Sequence, residues 1–317
     1  MTAAEPDGAL SPSPQWTSAG LGPVDRVDLA VPGATGAATP AAQPQQQLAD
    51  MFAATRAEGR AALVGYLPAG YPDADTSVAL FRAMVEGGCD LVEVGMPFSD
   101  PVLDGPVIQD AQQASLAAGF SARKLITLVE SVTAAGGRAV VMTYFNPVMA
   151  YGVDAFARDL ASAGGAGVIT PDLIVDEAGP WRSAMDAAGL APIFLVAPST
   201  GPERIALTAG ATRGFLYAAS TMGVTGARDQ VSSAAPGLVA RCRELTDLPI
   251  GVGLGVRTGR QAAEIASYAD AVIVGSAFVS IAKAADNGAV GAARAVAALA
   301  EELADGVRTP TPAGDVA

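Results

Sequence analysis

Eight short apolar runs alternate with amphipathic, Ala-rich stretches across the middle of this 317-residue chain. That alternation predicts an α/β fold, a (β/α)8 (TIM) barrel, since such barrels take about 250 residues and follow each parallel strand with a helix. The runs are continuous rather than alternating and rich in Val and Ile, as strands covered on both faces should be. A doubly wound sheet is the other architecture with this rhythm, and it usually places a Gly-rich dinucleotide loop after its first strand. Here Tyr66-Leu67-Pro68-Ala69-Gly70-Tyr71-Pro72 stands there instead, which favours the barrel.

The expected strands are Ala62–Leu67, Leu91–Val94, Ala139–Tyr144, Gly167–Thr170, Pro192–Val196, Gly214–Ala218, Pro249–Gly253 and Ala271–Gly275. Helical patterning is read over 74–87, 121–135, 154–164, 177–188, 232–245 and 288–304. The last is clearly amphipathic, with Ala, Val and Leu on one face and Arg294, Glu301 and Glu302 elsewhere. Residues 1–44 are rich in Pro, Ala, Gly, Ser and Gln without hydrophobic period and are expected to be a disordered tail. The barrel is expected over 45–304, followed by a flexible C-terminal tail over 305–317.

Composition narrows the function classes. With 19 Lys and Arg against 32 Asp and Glu, the net charge is -13. Nucleic acid needs a basic surface, so it is not an expected partner. Cys89 and Cys242 have no metal-like spacing and are expected as free thiols in a reducing cytoplasm. No apolar stretch approaches the ~20 residues that span a bilayer, and no secretory signal pattern opens the chain. The chain has no histidine, so proton transfer falls to carboxylates, Tyr, Lys or Cys.

Barrel chemistry sits where strands end. Glu93 is a lone carboxylate in an otherwise apolar strand. Facing the helix layer it would meet only apolar side chains, so the barrel interior is expected, with burial raising its pKa toward neutrality. A structural carboxylate bonded to a neighbouring Tyr or Ser is the other reading that spacing allows. Asp104 follows in a Pro- and Gly-stiffened loop, either aimed into the mouth or closing an Asx-turn on its own backbone. Asp100, in Ser-Asp-Pro, reads as a turn residue.

Three glycine loops follow the late strands: Gly223-Val224-Thr225-Gly226, Gly253-Leu254-Gly255 and Gly275-Ser276. Glycine lets backbone N–H groups approach an anion, and loops after strands seven and eight are the usual phosphate site of such barrels. Ser276 is expected to cap a helix beginning at Ala277. Tyr66, Tyr144 and Tyr217 fall near strand ends, either as an aromatic wall for a planar substrate or as core, and Phe98 and Leu254 read equally both ways.

The segment Glu-Val-Gly-Met-Pro-Phe-Ser-Asp-Pro-Val-Leu-Asp-Gly-Pro-Val-Ile-Gln, beginning at Glu93, resembles the signature of the tryptophan synthase alpha chain family. The glycine loops fall in matching order, and the resemblance covers about 48–304. It implies a barrel that cleaves indole-3-glycerol phosphate to indole and glyceraldehyde 3-phosphate by a retro-aldol step, with no metal or cofactor in this chain. It further implies a PLP-dependent beta chain that receives the indole, in an alpha2beta2 tetramer. By the same resemblance Glu93 and Asp104 are catalytic, while Thr225, Gly226, Gly255, Gly275 and Ser276 lie at the phosphate. Tyr66, Tyr144, Tyr217 and Leu254 would line the indole pocket or support the glutamate.

Two positions depart from the pattern. Thr221 stands where many relatives carry an Arg that helps hold a mobile loop closed, and Ile174 where many carry Pro. A stand-alone lyase that releases free indole, and a silent barrel that only activates a beta chain, are the alternatives. Retention of both carboxylates argues against the second.

Overall fold

The computed structural model describes residues 43–219, 234–253, 255–285 and 288–311. Nine strands form one sheet: β1 (Ala62–Pro68), β2 (Leu91–Gly95), β3 (Ala139–Met142), β4 (Gly167–Ile169), β5 (Ala191–Ile193), β6 (Leu195–Val196), β7 (Leu216–Ala219), β8 (Ile250–Gly253) and β9 (Ala271–Val274). Their order is β5-β4-β3-β2-β1-β9-β8-β7-β6, and the pairings are parallel. The two terminal strands of that order are consecutive in the chain, separated only by Phe194. The run expected as one strand over Pro192–Val196 is therefore two pieces. The first pairs with β4 and the second with β7, so the run changes partner at Phe194 and the chain itself joins the two edges of the barrel.

Twelve α-helices accompany the strands among the described residues. They are α1 (Gln46–Ala57), α2 (Ala74–Glu86), α3 (Pro106–Ala117), α4 (Ala122–Ala134), α5 (Phe145–Tyr151), α6 (Val153–Ser162), α7 (Gly179–Ala188), α8 (Pro202–Ala211), α9 (Ala234–Arg243), α10 (Gly259–Ala266), α11 (Ser276–Ala284) and α12 (Gly288–Arg308). Local chemistry sets several starts. The Asp73 carboxylate accepts from the Thr76 N–H at 2.9 Å ahead of α2, Thr258 caps α10, and Pro106 and Pro202 take the first turn of α3 and α8, where a missing N–H costs nothing. α12 runs on past Ala304 to Arg308 because its last turn still buries Val307. At the other end Gln45 N–H donates to Gly189 O at 2.9 Å, and a Cβ on Gly189 would meet Pro44 Cδ at 3.2 Å. Gln43 and Pro44, from the stretch expected as a tail, thus lie against the turn after α7.

Period-two alternation divides the buried residues into two layers. Ala62, Val64, Leu91, Val140, Ile193, Phe215 and Ala271 fill the barrel interior. Leu63, Val92, Val94, Val141 and Val272 face the helices. α1 closes the lower end of the interior with Leu48, Met51 and Phe52, whose ring lies 5.8 Å from that of Phe215. Burying one such aromatic is worth roughly 2–3 kcal/mol. Since Leu91 points inward and Val92 and Val94 outward, Glu93 must point inward. The Ala- and Gly-rich composition also has a packing role. A Cβ on Gly306 would collide with the Gly259 carbonyl, and one on Gly87 would come within 2.6 Å of Ala300 Cβ, so α12 packs closer on α10 and α2 than larger residues permit.

Candidate active site

Glu93 sits at the upper end of β2, 1% exposed, and its Oε2 is buried with no hydrogen-bond partner among the described residues. An unpartnered buried carboxylate is costly when ionised. Burial, reinforced by the charge of Asp104, pushes its pKa up to about 8. The reading of Glu93 as a carboxylate satisfied by a neighbouring Tyr or Ser does not account for this free oxygen.

Asp104 is held from several directions. Its Oδ2 accepts from Gln112 Nε2 at 2.9 Å and from the Tyr144 hydroxyl at 3.1 Å. Gln109 Nε2 donates to its backbone carbonyl at 2.7 Å. The side chain is thus bonded to α3 and to the end of β3 rather than closing an Asx-turn. Burial raises its pKa, and the hydrogen bonds from Gln112 and Tyr144 oppose that rise. Two carboxylates in one mouth, one without a partner and one doubly hydrogen-bonded, have their pKa values pushed apart. The first is suited to giving and taking a proton near neutrality, the second to remaining an acceptor. Asp100 is exposed, bonded by Ser99 Oγ at 2.5 Å, in keeping with a loop role.

Gln112 was not singled out from the sequence. It is 2% exposed, and its Oε1 accepts from Phe98 N–H at 3.0 Å while its amide serves Asp104. It ties the loop after β2 to the Asp104 carboxylate. The signal was a polar residue on the buried face of α3, two turns beyond Asp104. Tyr144 is equally bound in: it accepts from Leu103 N–H at 3.0 Å and lies 5.2 Å from the Phe98 ring.

Tyr66 stands opposite Glu93 in the ladder. Its ring occupies the space left by two missing side chains: a Cβ on Gly95 would lie 2.6 Å from its hydroxyl, and one on Gly275 3.1 Å from Cδ1. Gly253 similarly leaves room for the Tyr217 hydroxyl. Burial first, then the charges of Glu93 and Asp104, hold both phenols far above their ordinary pKa, so they face the site as neutral groups. Glycines read from the sequence as anion-approach points therefore also make space for tyrosine rings.

One expectation is corrected. α11 begins at Ser276 with Gly275 in the cap position, and no side chain caps it. Gly275 already has helix-like torsions (φ -119°, ψ -76°), so Ser276 enters the first turn. Its backbone N–H is then among the free amides of a helix N-terminus, which suit an anion. Ser276 is 7% exposed, and Gly255 has φ +60°, in the left-handed region that favours glycine. Thr225, Gly226 and Leu254, together with Thr221, lie outside the described residues. Among the described residues no group of His, Cys, Asp and Glu is placed to hold a metal, and no helix is long and apolar enough to cross a membrane.

Comparison with known proteins bears on the family and the fold. The family model of the tryptophan synthase alpha chain matches residues 52–308. The tryptophan synthase alpha chain of Nocardia farcinica is 62% identical over 269 residues, covering 85% of this chain and 98% of that one. That of Mycobacterium avium is 62% identical over 262 residues, 83% of this chain and 94% of its own. Among solved structures, a chain of Mycobacterium tuberculosis tryptophan synthase superposes with TM-score 0.77 at 58% identity, over 82% of this chain and 98% of that one. The tryptophan synthase alpha chain of Legionella pneumophila superposes with TM-score 0.73 at 28% identity, over 85% and 98%.

Proposed function

The chain belongs to the tryptophan synthase alpha chain family, and from that premise we propose that Glu93 and Asp104 carry the alpha reaction, the retro-aldol cleavage of indole-3-glycerol phosphate. The observation that carries this assignment is the pair itself: a buried Glu93 oxygen without a partner beside an Asp104 oriented by Gln112 and Tyr144. Protonated Glu93 gives its proton to indole C3, which becomes tetrahedral. Asp104 accepts the hydrogen bond, and then the proton, of the indole N–H, relieving the positive charge. Glu93, now ionised, takes the proton of the glycerol hydroxyl beside the bond to C3. That bond breaks, its electrons return to the ring, the nitrogen recovers its proton from Asp104, and the hydroxyl carbon becomes the aldehyde of glyceraldehyde 3-phosphate. A group that gives and then takes a proton works best with a pKa near the operating pH.

The phosphate is assigned to the backbone amides at Gly255, Gly275 and Ser276, joined by Thr225 and Gly226. Tyr66, Tyr144, Tyr217 and Leu254 are assigned to the indole pocket. The indole is passed to a PLP-dependent beta chain in an alpha2beta2 assembly. Val102, Met149 and Ile174 support that partner: they are exposed by 67, 56 and 50% on segments that follow β2, β3 and β4, the same face as the carboxylates. Exposed apolar residues grouped around a site mark a partner surface. The free, buried Cys89 and Cys242 fit a reducing cytoplasm as the compartment.

Indole release and calorimetric titration with glycerol phosphate test the assignment together. Asp104→Asn is expected to lose about 10²-fold or more in cleavage while keeping phosphate affinity. Lost phosphate binding with normal single-turnover cleavage would overturn it.

A further inference from the structure

Tyr144 reaches Asp104 only because the chain leaving β3 holds its ring toward the loop after β2. The ladder between β3 and β4 ends with Thr143 N–H on Ile169 O at 3.1 Å, one residue short of Tyr144. Past that point the peptide joining Tyr144 to Phe145 is held at both ends by side chains. Thr143 Oγ1 donates to Tyr144 O at 2.8 Å. Both carboxylate oxygens of Asp172 accept from Phe145 N–H, at 3.0 and 3.1 Å. Building on the role assigned to Asp104, we propose that Asp172 is a positioning residue for the alpha reaction, fixing Tyr144, and through Tyr144 the Asp104 carboxylate, from the loop after β4.

A peptide unit is planar. With Thr143 in the ladder on one side and this peptide held on the other, the φ and ψ of Tyr144, -63° and 153°, are set, and with them the direction in which its side chain leaves the backbone. Phe145 opens α5. The first N–H groups of a helix have no partner within it, and the Tyr144 side chain provides no cap. A carboxylate is favoured at that end of a helix, and Asp172 supplies one from 27 residues along the chain. Pro171 restricts the backbone before Asp172, and buried Leu173 anchors it after. Asp172 is exposed, and among the described residues its carboxylate has no other partner, so no ion pair competes for it. At the far end the Tyr144 hydroxyl donates to Asp104 Oδ2 at 3.1 Å and accepts from Leu103 N–H at 3.0 Å. One line of contacts thus runs from Asp172, through the backbone and ring of Tyr144, to Asp104.

The test is a double-mutant cycle on the full chain, read as indole release from indole-3-glycerol phosphate. Asp172→Ala is expected to lower kcat/KM about fivefold in the wild-type background and by less than about 1.5-fold in Tyr144→Phe, since a residue acting through the Tyr144 hydroxyl has nothing to position once that hydroxyl is gone. Asp172→Asn keeps an acceptor for Phe145 N–H and should stay within about twofold of wild type. Circular dichroism checks the fold of each variant. If Asp172→Ala does not fold, Asp172→Leu, which also lacks an acceptor, takes its place in the cycle. Equal losses in the two backgrounds, an unchanged rate for Asp172→Ala, or an Asp172→Asn as slow as Asp172→Ala would overturn the proposal and leave Asp104 in its role. A wild-type chain that releases no indole would remove the proposed function and this positioning role together.

Discussion

Replacing Glu93 by Gln should make the protein more stable, in a way that depends on pH. Glu93 is 1% exposed, and its folded pKa lies near 8 against an ordinary 4.5. The unfolded chain therefore releases this proton at much lower pH than the folded one. Below pH 4.5 the group is protonated in both states and has no effect. Between 4.5 and 8 the unfolded state alone gains the ionised form, so stability falls steadily as pH rises, and above 8 the loss levels off at roughly 4–5 kcal/mol. Glutamine keeps the volume and removes the titration. Urea unfolding of both proteins should then show wild type losing about 3–4 kcal/mol relative to Glu93→Gln between pH 5 and pH 8. Using the change between two pH values cancels any fixed cost of placing an amide there. The same variant should lose indole release by about 10²-fold or more. A stability difference constant to within ~1 kcal/mol over that range would refute the claim that Glu93 is buried in its neutral form.

Other expectations follow from the same contacts. Tyr144→Phe removes a donor to Asp104 and the acceptor of Leu103 N–H; kcat/KM should fall about tenfold. The acid limb of its pH profile should move upward, because a hydrogen bond that lowers the Asp104 pKa is gone. Gln112→Leu strands the Phe98 N–H and takes the other donor from Asp104; a loss of about 1–3 kcal/mol in stability, read by urea unfolding, should accompany a deeper loss of cleavage than Tyr144→Phe. In Gly253→Ala the new methyl meets the Tyr217 hydroxyl, so thermal unfolding should drop by several degrees. Saturating beta chain should raise the cleavage rate about 5–150-fold, the usual range of coupling between sites; an unchanged rate at saturating indole-3-glycerol phosphate would favour a stand-alone lyase.

The strands were legible because a parallel barrel buries them on both faces, and continuous Val- and Ile-rich runs have few other uses. Glu93 stood out for the same reason, as the one charge in such a run. Asp104 was legible as a candidate, but its partners were less so: Gln112 shows only as a polar residue on the buried face of α3, and Tyr144 reaches it from just past β3, 40 residues along the chain, a separation no local pattern encodes. The short helix α5 has too few turns to show a period. Ser276 was assigned to the cap because Ser is a favoured cap residue, yet the helix starts one residue earlier, where Gly275 can lie against the Tyr66 ring. The tyrosine-for-glycine exchange of space is a tertiary fact, and glycine spacing alone reads as an anion loop.

Adjacency of the first and last strands bears on how the protein is made. Ala62 pairs with Ala271 and Val64 with Ile273, so β1 keeps one edge unpaired until nearly the whole barrel has been translated. Strands β2 to β5 can each add to their predecessor as they emerge, and β7 and β8 can build on β6, but the two groups are not hydrogen-bonded into one sheet, and α1 cannot gain the full interior it seals, before β9 leaves the ribosome. An open sheet edge is a template for pairing with other chains, and growing chains dominated by distant partners fold slowly. The nascent barrel is thus most exposed to misassembly late in synthesis, when its sheet is widest and still open.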